Sequence, residues 1–222
     1  MVPDEWGSSV ASRLQDAAVE AIAAAHDEAK LWCLAENHRA RRFYERRGWR
    51  LNGETRIVEY PPHPLDVGYA CAAVAVAQAT NDDLATIVDL NRASSTTAYA
   101  PIFGDAPYPE DAVRRRYVRL LADRDTTVLL ATRRGRALGY LTVAPGRLEA
   151  LYVHPDAWGS GLAQRLYAAA EPLLGEGEAT LWVLRANARA RRFWEARGWG
   201  ATSEEAVTGG QVEVRYRRVR RE

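Results

Sequence analysis

Apolar positions along the chain switch period repeatedly, and the switches outline alternating strands and helices. A short apolar run at 73–79 (AVAVAQA) predicts a strand. Asn81-Asp82-Asp83 is a helix-start signal ahead of LATIVDLNRA, whose apolar residues recur at helical spacing. Residues 95–109 contain Pro101, Gly104, Pro107 and Pro109 and are expected to form a loop. Pro109-Glu110-Asp111 then opens a second helix, AVRRRYVRLLA. Strands are expected at 126–132 and 137–144, joined by a hairpin-like turn at Arg133-Arg134-Gly135-Arg136, and again at 147–153. A helix over 161–174, a strand at 180–185, a helix over 187–197 and strands near 199–205 and 211–218 complete the pattern. The order β-α-α-β-β-β-α-β-α-β-β predicts a mixed α/β layer with a partly antiparallel sheet.

The first third of the chain repeats the last. Residues 31–49 (LWCLAENHRARRFYERRGW) and 181–199 (LWVLRANARARRFWEARGW) are identical at thirteen of nineteen positions, at an offset of 150. Upstream, Pro3 to Ala11 matches Pro155 to Ala163, with Ser9 where Gly161 stands; downstream, Leu65–Tyr69 resembles Val212–Tyr216. Residues 2–70 therefore read as a divergent copy of 154–218, and 72–153 has no earlier counterpart. The expected organisation is a truncated repeat at 1–71 and a complete domain at 72–222. The copy has apolar helix faces near 8–27 and 37–47 (Leu14, Ala18, Ile22; Phe43, with Trp49 beyond) and strands at Leu31–Leu34 and Leu65–Tyr69. Half a domain cannot bury these alone, so it is expected to pack on the complete domain or on a second chain, the latter as a homodimer.

Composition narrows the function classes. Hydrophobic residues are 47% and charged residues 27% of 222, ordinary for a globular protein with a real core. A net charge of +1 gives no field that would draw the molecule to nucleic acid or to a membrane surface. The N-terminus does not read as a signal peptide, and no run approaches the length of a span. The two cysteines, Cys33 and Cys71, sit in apolar segments and read as reduced, buried thiols. No Cys/His cluster has metal-ligand spacing, and a cytoplasmic protein without a metal is expected.

The segment richest in chemistry is Leu148-Glu149-Ala150-Leu151-Tyr152-Val153-His154-Pro155, followed by Trp158-Gly159-Ser160-Gly161-Leu162-Ala163-Gln164. An apolar strand stops at a proline and a glycine-containing turn opens a helix. Helix starts present unpaired N–H groups and partial positive charge, and glycines let a phosphate approach the backbone. The same spacing also suits an ordinary strand–turn–helix connection. A second element is Asn187 opening the next helix, followed by Ala190, Phe193, Trp194, Gly198 and Trp199.

Together these segments resemble the GNAT superfamily of acetyl-CoA-dependent N-acetyltransferases, whose diphosphate loop reads Arg/Gln-x-x-Gly-x-Gly/Ala after a strand ending Val-x-Pro. Gly161 and Ala163 fit that loop, and Trp158 departs from it. The resemblance implies a GNAT fold at 72–222: a mixed, partly antiparallel α/β sheet flanked by helices, carrying the N-terminal half-domain copy. It implies acetyl-CoA as co-substrate, with the backbone of Leu151, Tyr152 and Val153 pairing with the pantetheine arm. The amides of Gly159, Ser160, Gly161, Leu162, Ala163 and Gln164 would hold the diphosphate, Asn187 would orient the pantetheine, and the strands at 147–153 and 180–185 would splay to admit it. Trp194 occupies the place of the family's usual tyrosine acid, and its copy is Tyr44.

Acetyl transfer to an amine requires loss of an amine proton. Glu149 is the candidate base, with an exposed strand carboxylate as the alternative reading. The implied acceptor is a primary amine of a small molecule or peptide. Tyr99, Phe103, Asp105, Tyr108 and Glu110 would line its pocket, unless the segment is simply a surface loop. Arg189, Arg191 and Arg192 are solvated helix charges or contacts for the 3′-phosphate of coenzyme A. A catalytically weak acyl-CoA-binding module and a remnant of a tandem two-domain enzyme are the alternative functions.

Overall fold

A computed structural model of the protein describes residues 10–23, 25–104 and 106–219. Two sheets are present. The first part of the chain forms α1 (Val10–Ala23), β1 (Glu28–Leu34), α2 (His38–Arg46), β2 (Arg50–Ile57) and β3 (Leu65–Ala72). Its antiparallel sheet has the order β1-β3-β2. The rest forms β4 (Ala75–Gln78), α3 (Leu84–Phe103), α4 (Glu110–Ala122), β5 (Thr127–Arg133), β6 (Arg136–Ala144), β7 (Arg147–Val153), α5 (Leu162–Ala170), β8 (Glu178–Leu184), α6 (Ala188–Glu195), β9 (Gly200–Thr208) and β10 (Gln211–Val219). These strands make a seven-stranded sheet in the order β4-β5-β6-β7-β8-β10-β9.

Strand alternation divides the core between the sheet's two faces. Val128, Leu130 and Tyr140 pack with Ile87 and Leu90 of α3 and Tyr117 of α4. Leu129, Ala131 and Leu141 pack with Leu162 and Leu166 of α5 and Trp194 of α6. The β5–β6 hairpin turns at Arg134 and Gly135, which have φ of 49° and 76°, the left-handed pair that matches strand twist.

All pairings in the large sheet are antiparallel except one. β7 runs parallel to β8, and they share a single Cα pairing, Arg147 with Thr180. Beyond it no further pairing joins the two strands toward Val153 and Leu184, and this unpaired stretch is the gap between them. β7 also carries a bulge: Thr142 faces Ala150 and Val143 faces Leu148, so Glu149 is the extra residue. The bulge puts Leu148 into the α5 side of the core and Ala150 into the α3 side.

The N-terminal lobe reproduces the local geometry of the chain's end. Leu31 pairs with Tyr69 as Leu181 pairs with Tyr216. Arg41 Nε donates to Tyr69 Oη at 3.1 Å, and Tyr69 donates to Glu45 Oε1 at 2.7 Å. The matching bonds, Arg191 to Tyr216 and Tyr216 to Glu195, are 3.0 and 2.8 Å. A small core of Val19, Ala23, Cys33, Trp49, Tyr69 and Cys71 holds the lobe together.

Two sequence expectations need correction. The segment expected as loop from residue 95 continues α3 through Phe103. Thr96 and Thr97 return their hydroxyls to the carbonyls of Arg92 and Ala93, at 2.7 and 3.0 Å, so these polar residues stay within the helix. Pro101 is accommodated inside it. The lobe also has a strand, β2, that the apolar pattern does not predict: it is almost wholly exposed and polar, and it exists because it pairs with β3. The upstream match at Pro3 to Ser9, and Asp105 in the acceptor segment, lie outside the described residues.

Candidate active site

The gap between β7 and β8 opens onto the turn that starts α5. Gly159 and Gly161 have φ of 81° and 86°, a conformation that suits only glycine at low strain. Within the turn, Ser160 N bonds to Ala157 O at 3.3 Å, and Gln164 N to Gly161 O at 3.1 Å. Leu162 N has a long contact of 3.4 Å to Ser160 Oγ. Among the described residues the amides of Gly159, Gly161 and Ala163 have no acceptor. The six expected diphosphate donors thus resolve into three unpaired ones, one weakly engaged and two satisfied internally.

Trp158 braces this turn. Its indole Nε1 donates to Val153 O at 2.8 Å, tying the end of β7 to the start of the turn. Its ring carries the guanidinium of Arg189, 4.1 Å from the centroid, so one residue links β7, the turn and α6. The indole thus engages the Val153 carbonyl at the end of the Leu151-Tyr152-Val153 segment of β7. Leu151 packs toward α5 and Tyr152 toward α3.

The N-terminal lobe abuts the turn from the other side. Gly48 packs on Gly161, backbone against backbone. Arg50 Nη1 donates to Gly159 O, and Gln164 Nε2 donates to Glu45 O. Every one of these contacts uses a carbonyl, a Cα or a side chain of the turn, and none consumes its three unpaired amides.

Asn187 caps α6, its Oδ1 accepting from Ala190 N at 3.0 Å, as Asn37 caps α2 at 3.1 Å. Only its Nδ2 is left for a ligand. Trp194 is 5% exposed and stacks edge-on among Tyr167, Phe193 and Trp199. It belongs to the core cluster on the α5 side of the sheet. Tyr44 packs against Trp49 in the same way in the N-terminal lobe.

On the α3 side of β7 lies a group of phenols that the sequence reading named only in part. Tyr99 meets Tyr152 edge-on, Tyr152 stacks on Tyr140, and Tyr117 meets Tyr140 edge-on. Tyr117 donates to Tyr140 Oη at 2.8 Å; Asn91 Nδ2 donates to the same oxygen at 2.5 Å; Tyr108 donates to Asn91 Oδ1 at 2.9 Å. Burial pushes Tyr108 up to about 12 and drives Tyr99, Tyr117 and Tyr140 well above the ordinary phenol range. All four hold their protons at neutral pH and can donate hydrogen bonds, but none is a base. Tyr117 and Tyr140 escaped the sequence reading because an aromatic at a core position carries no separate signal.

Glu149, at the bulge, has both carboxylate oxygens engaged. Arg116 Nη2 of α4 lies 2.9 Å from Oε2, and Arg147 Nε donates to Oε1. Its side chain is 18% exposed, whereas that of Arg147 is 55% exposed.

The model of the acetyltransferase (GNAT) family matches residues 87–199, about half of the chain. The chain belongs to the GNAT acetyltransferase family. No curated protein matches it. Among solved structures, a PaiA N-acetyltransferase from Thermoplasma acidophilum in complex with coenzyme A is 20% identical, with a TM-score of 0.53 over 64% of this chain and 97% of that one. A GCN5-related N-acetyltransferase from Rhodopseudomonas palustris is 21% identical, with a TM-score of 0.55 over 65% and 94%. An acetyltransferase from Thermus thermophilus is 23% identical, with a TM-score of 0.52 over 65% and 96%. These likenesses show the α/β GNAT fold, and each leaves about a third of this chain unmatched.

The GNAT co-substrate is acetyl-CoA, and the turn fits its diphosphate: three amides lack acceptors, and one of them, on Gly161, is buried beneath the N-terminal lobe. Approach is from the side of exposed Gly159 and half-buried Ala163. Among the described residues no three His, Cys, Asp or Glu side chains are grouped to hold a metal, and no helix is long and apolar enough to cross a membrane.

Proposed function

We propose that the protein is an N-acetyltransferase that passes an acetyl group directly from acetyl-CoA to a primary amine of a small molecule or peptide. The observation that carries this reading is the parting of β7 and β8 beside the turn with unpaired amides at Gly159, Gly161 and Ala163. We also read residues 1–71 as a truncated repeat of the GNAT C-terminal half and 72–222 as the complete domain. The shared register and the shared Arg–Tyr–Glu bonds support that division.

Acetyl-CoA supplies an acetyl thioester. The edge of β7 at Leu151 and Tyr152 aligns the pantetheine arm, the three amides hold the diphosphate, and Asn187 Nδ2 is free to orient the arm. The amine enters from the α3 side, past Tyr99 and Tyr152, where aromatic faces suit a cationic amine. Glu149 accepts its proton through a water. Exposed ion pairs are worth little in water, so the pairs with Arg147 and Arg116, both about half exposed, orient the carboxylate at the bulge and give way readily. A C–N bond forms as the C–S bond breaks, the second proton on the nitrogen passes to solvent or to the departing sulfur, and the thiolate needs no enzyme acid because thiols ionise within a unit or two of neutral pH.

The test is a panel of amines with acetyl-CoA, followed by release of free thiol. Amine-dependent release supports the reading. Coenzyme A binding without release for any amine leaves a binding module in its place.

A further inference from the structure

The turn Trp158–Gln164 has no basic side chain of its own, yet guanidiniums reach it from outside: besides Arg189 over the Trp158 ring, Arg50 and Arg197 meet its later residues. Arg50, the first residue of β2 in the N-terminal lobe, donates to Gly159 O. Arg197, between α6 and β9, donates from Nη2 to Gln164 Oε1 at 2.8 Å and from Nη1 to Phe193 O at 2.7 Å, and its Nε is buried without an acceptor. Among the described residues no carboxylate lies within ion-pair distance of Arg50 or Arg197. By contrast, Arg47 and Arg56 of the same lobe are paired with Asp16 and Asp66. Burial, and after it the nearby positive charge of Arg50, push Arg197 down to about 10.

Two like charges side by side, without a counter-anion and next to three unpaired amides, form a site that an anion completes. The repeat shows that this charge is specific. Arg197 aligns with Arg47, which has an acid partner, and Arg50 aligns with Gly200, which has no side chain. The cation therefore reaches the turn only because Gly48 docks on Gly161 and brings the start of β2 alongside.

We propose that Arg50 is a ligand of the cofactor's diphosphate, so that the N-terminal lobe completes the binding site of the acetyltransferase domain. This rests on reading the turn as the coenzyme A site. It gives the lobe a part in cofactor affinity: the lobe contributes one charge-assisted contact and neutralises the diphosphate at the edge of the gap.

The test is titration calorimetry of the full chain with coenzyme A and with 3′-dephospho-coenzyme A, for the wild type and for Arg50→Ala, Arg50→Lys and Arg46→Ala. A charge-assisted contact predicts that Arg50→Ala weakens both ligands by about tenfold or more. Arg50→Lys recovers much of that loss. Arg46→Ala, an exposed arginine on the same lobe, leaves both affinities unchanged. Unchanged or tighter binding by Arg50→Ala overturns the proposal, the tighter case meaning that the lobe obstructs the turn. A loss confined to the 3′-phosphorylated ligand also overturns it, by moving Arg50 to the other phosphate. If the wild type binds neither ligand, the functional reading itself fails, an outcome distinct from failure of the Arg50 assignment.

Discussion

A Cβ on Gly48 would lie 2.8 Å from the carbonyl oxygen of Gly161, and a Cβ on Gly161 would fall closer still to the carbonyl oxygen of Gly48. The two residues, each with a left-handed φ, thus exclude side chains from one another's space. Gly161 has two duties in this chain: it lets the turn present its amides, and it lets the N-terminal lobe dock.

Substitution at the two turn glycines separates these duties. Gly161→Ala combines a left-handed non-glycine with a backbone clash and is expected to destabilise the protein by more than about 2 kcal/mol. Gly159 has a similar φ, but a Cβ there meets nothing within 4 Å. Gly159→Ala is expected to lose only about 1 kcal/mol. For a chain of this size thermal unfolding should show a drop of about 2–4 °C for Gly159→Ala and at least twice that for Gly161→Ala. Equal drops would remove the docking contact from the account.

Glu149→Gln keeps the shape of the side chain and removes its basicity. If Glu149 takes the amine's proton, kcat/KM falls by about a hundredfold at neutral pH. The loss shrinks as pH rises, because the free amine then arrives without its proton. A uniform loss at all pH values would mean that Glu149 only anchors Arg116 at the bulge.

Tyr140→Phe removes the oxygen that receives bonds from both Asn91 and Tyr117. Two buried donors are left without an acceptor, and an unsatisfied buried group costs about 1–3 kcal/mol. Urea unfolding should show this loss, and the double variant Tyr140→Phe with Tyr117→Phe should lose less than the two single changes added together.

Alkaline stability follows from the same phenols. A group whose folded pKa is raised contributes stability that is present below its unfolded value, near 10, and lost as pH climbs through the folded value. Tyr108, at about 12, places that window between about pH 10 and 12, and Tyr99, Tyr117 and Tyr140 act in the same direction. Arg197, pushed down to about 10, acts oppositely, as do the lowered Arg165 and Arg189, while the raised Tyr44, Tyr69, Tyr216, Cys33 and Cys71 act with the phenols. Denaturant midpoints should therefore fall between about pH 10 and 12, and a flat profile would contradict the burial of this network.

Cys33 and Cys71 are free and buried, and burial pushes Cys71 up to about 11. Both should react with an aromatic disulfide reagent only as fast as the N-terminal lobe opens. Immediate titration of two thiols in the native protein would show that the lobe is not packed as described.

Where the sequence was informative, single residues explain why. β7 runs over 147–153 as expected because Gly146 and Pro155 bound a mostly apolar stretch that ends in Ala150-Leu151-Tyr152-Val153. The continuation of α3 was hidden because serine, threonine and proline are poor helix formers by propensity, while Ser94 and Ser95 are buried against the sheet and Thr96 and Thr97 bond back to the helix. The bulge at Glu149 alters no local pattern and is set by the pairing of β7 with β6. The Gly48–Gly161 contact and the reach of Arg50 join residues more than a hundred positions apart, and no periodicity reports such a meeting.

The most direct measurement is a crystal structure of the protein grown with coenzyme A. The diphosphate is predicted within hydrogen-bond distance of the backbone nitrogens of Gly159, Gly161 and Ala163, with the pantetheine arm in the gap between β7 and β8. A cofactor bound elsewhere, or a gap that stays closed with ligand present at saturating concentration, would contradict the account.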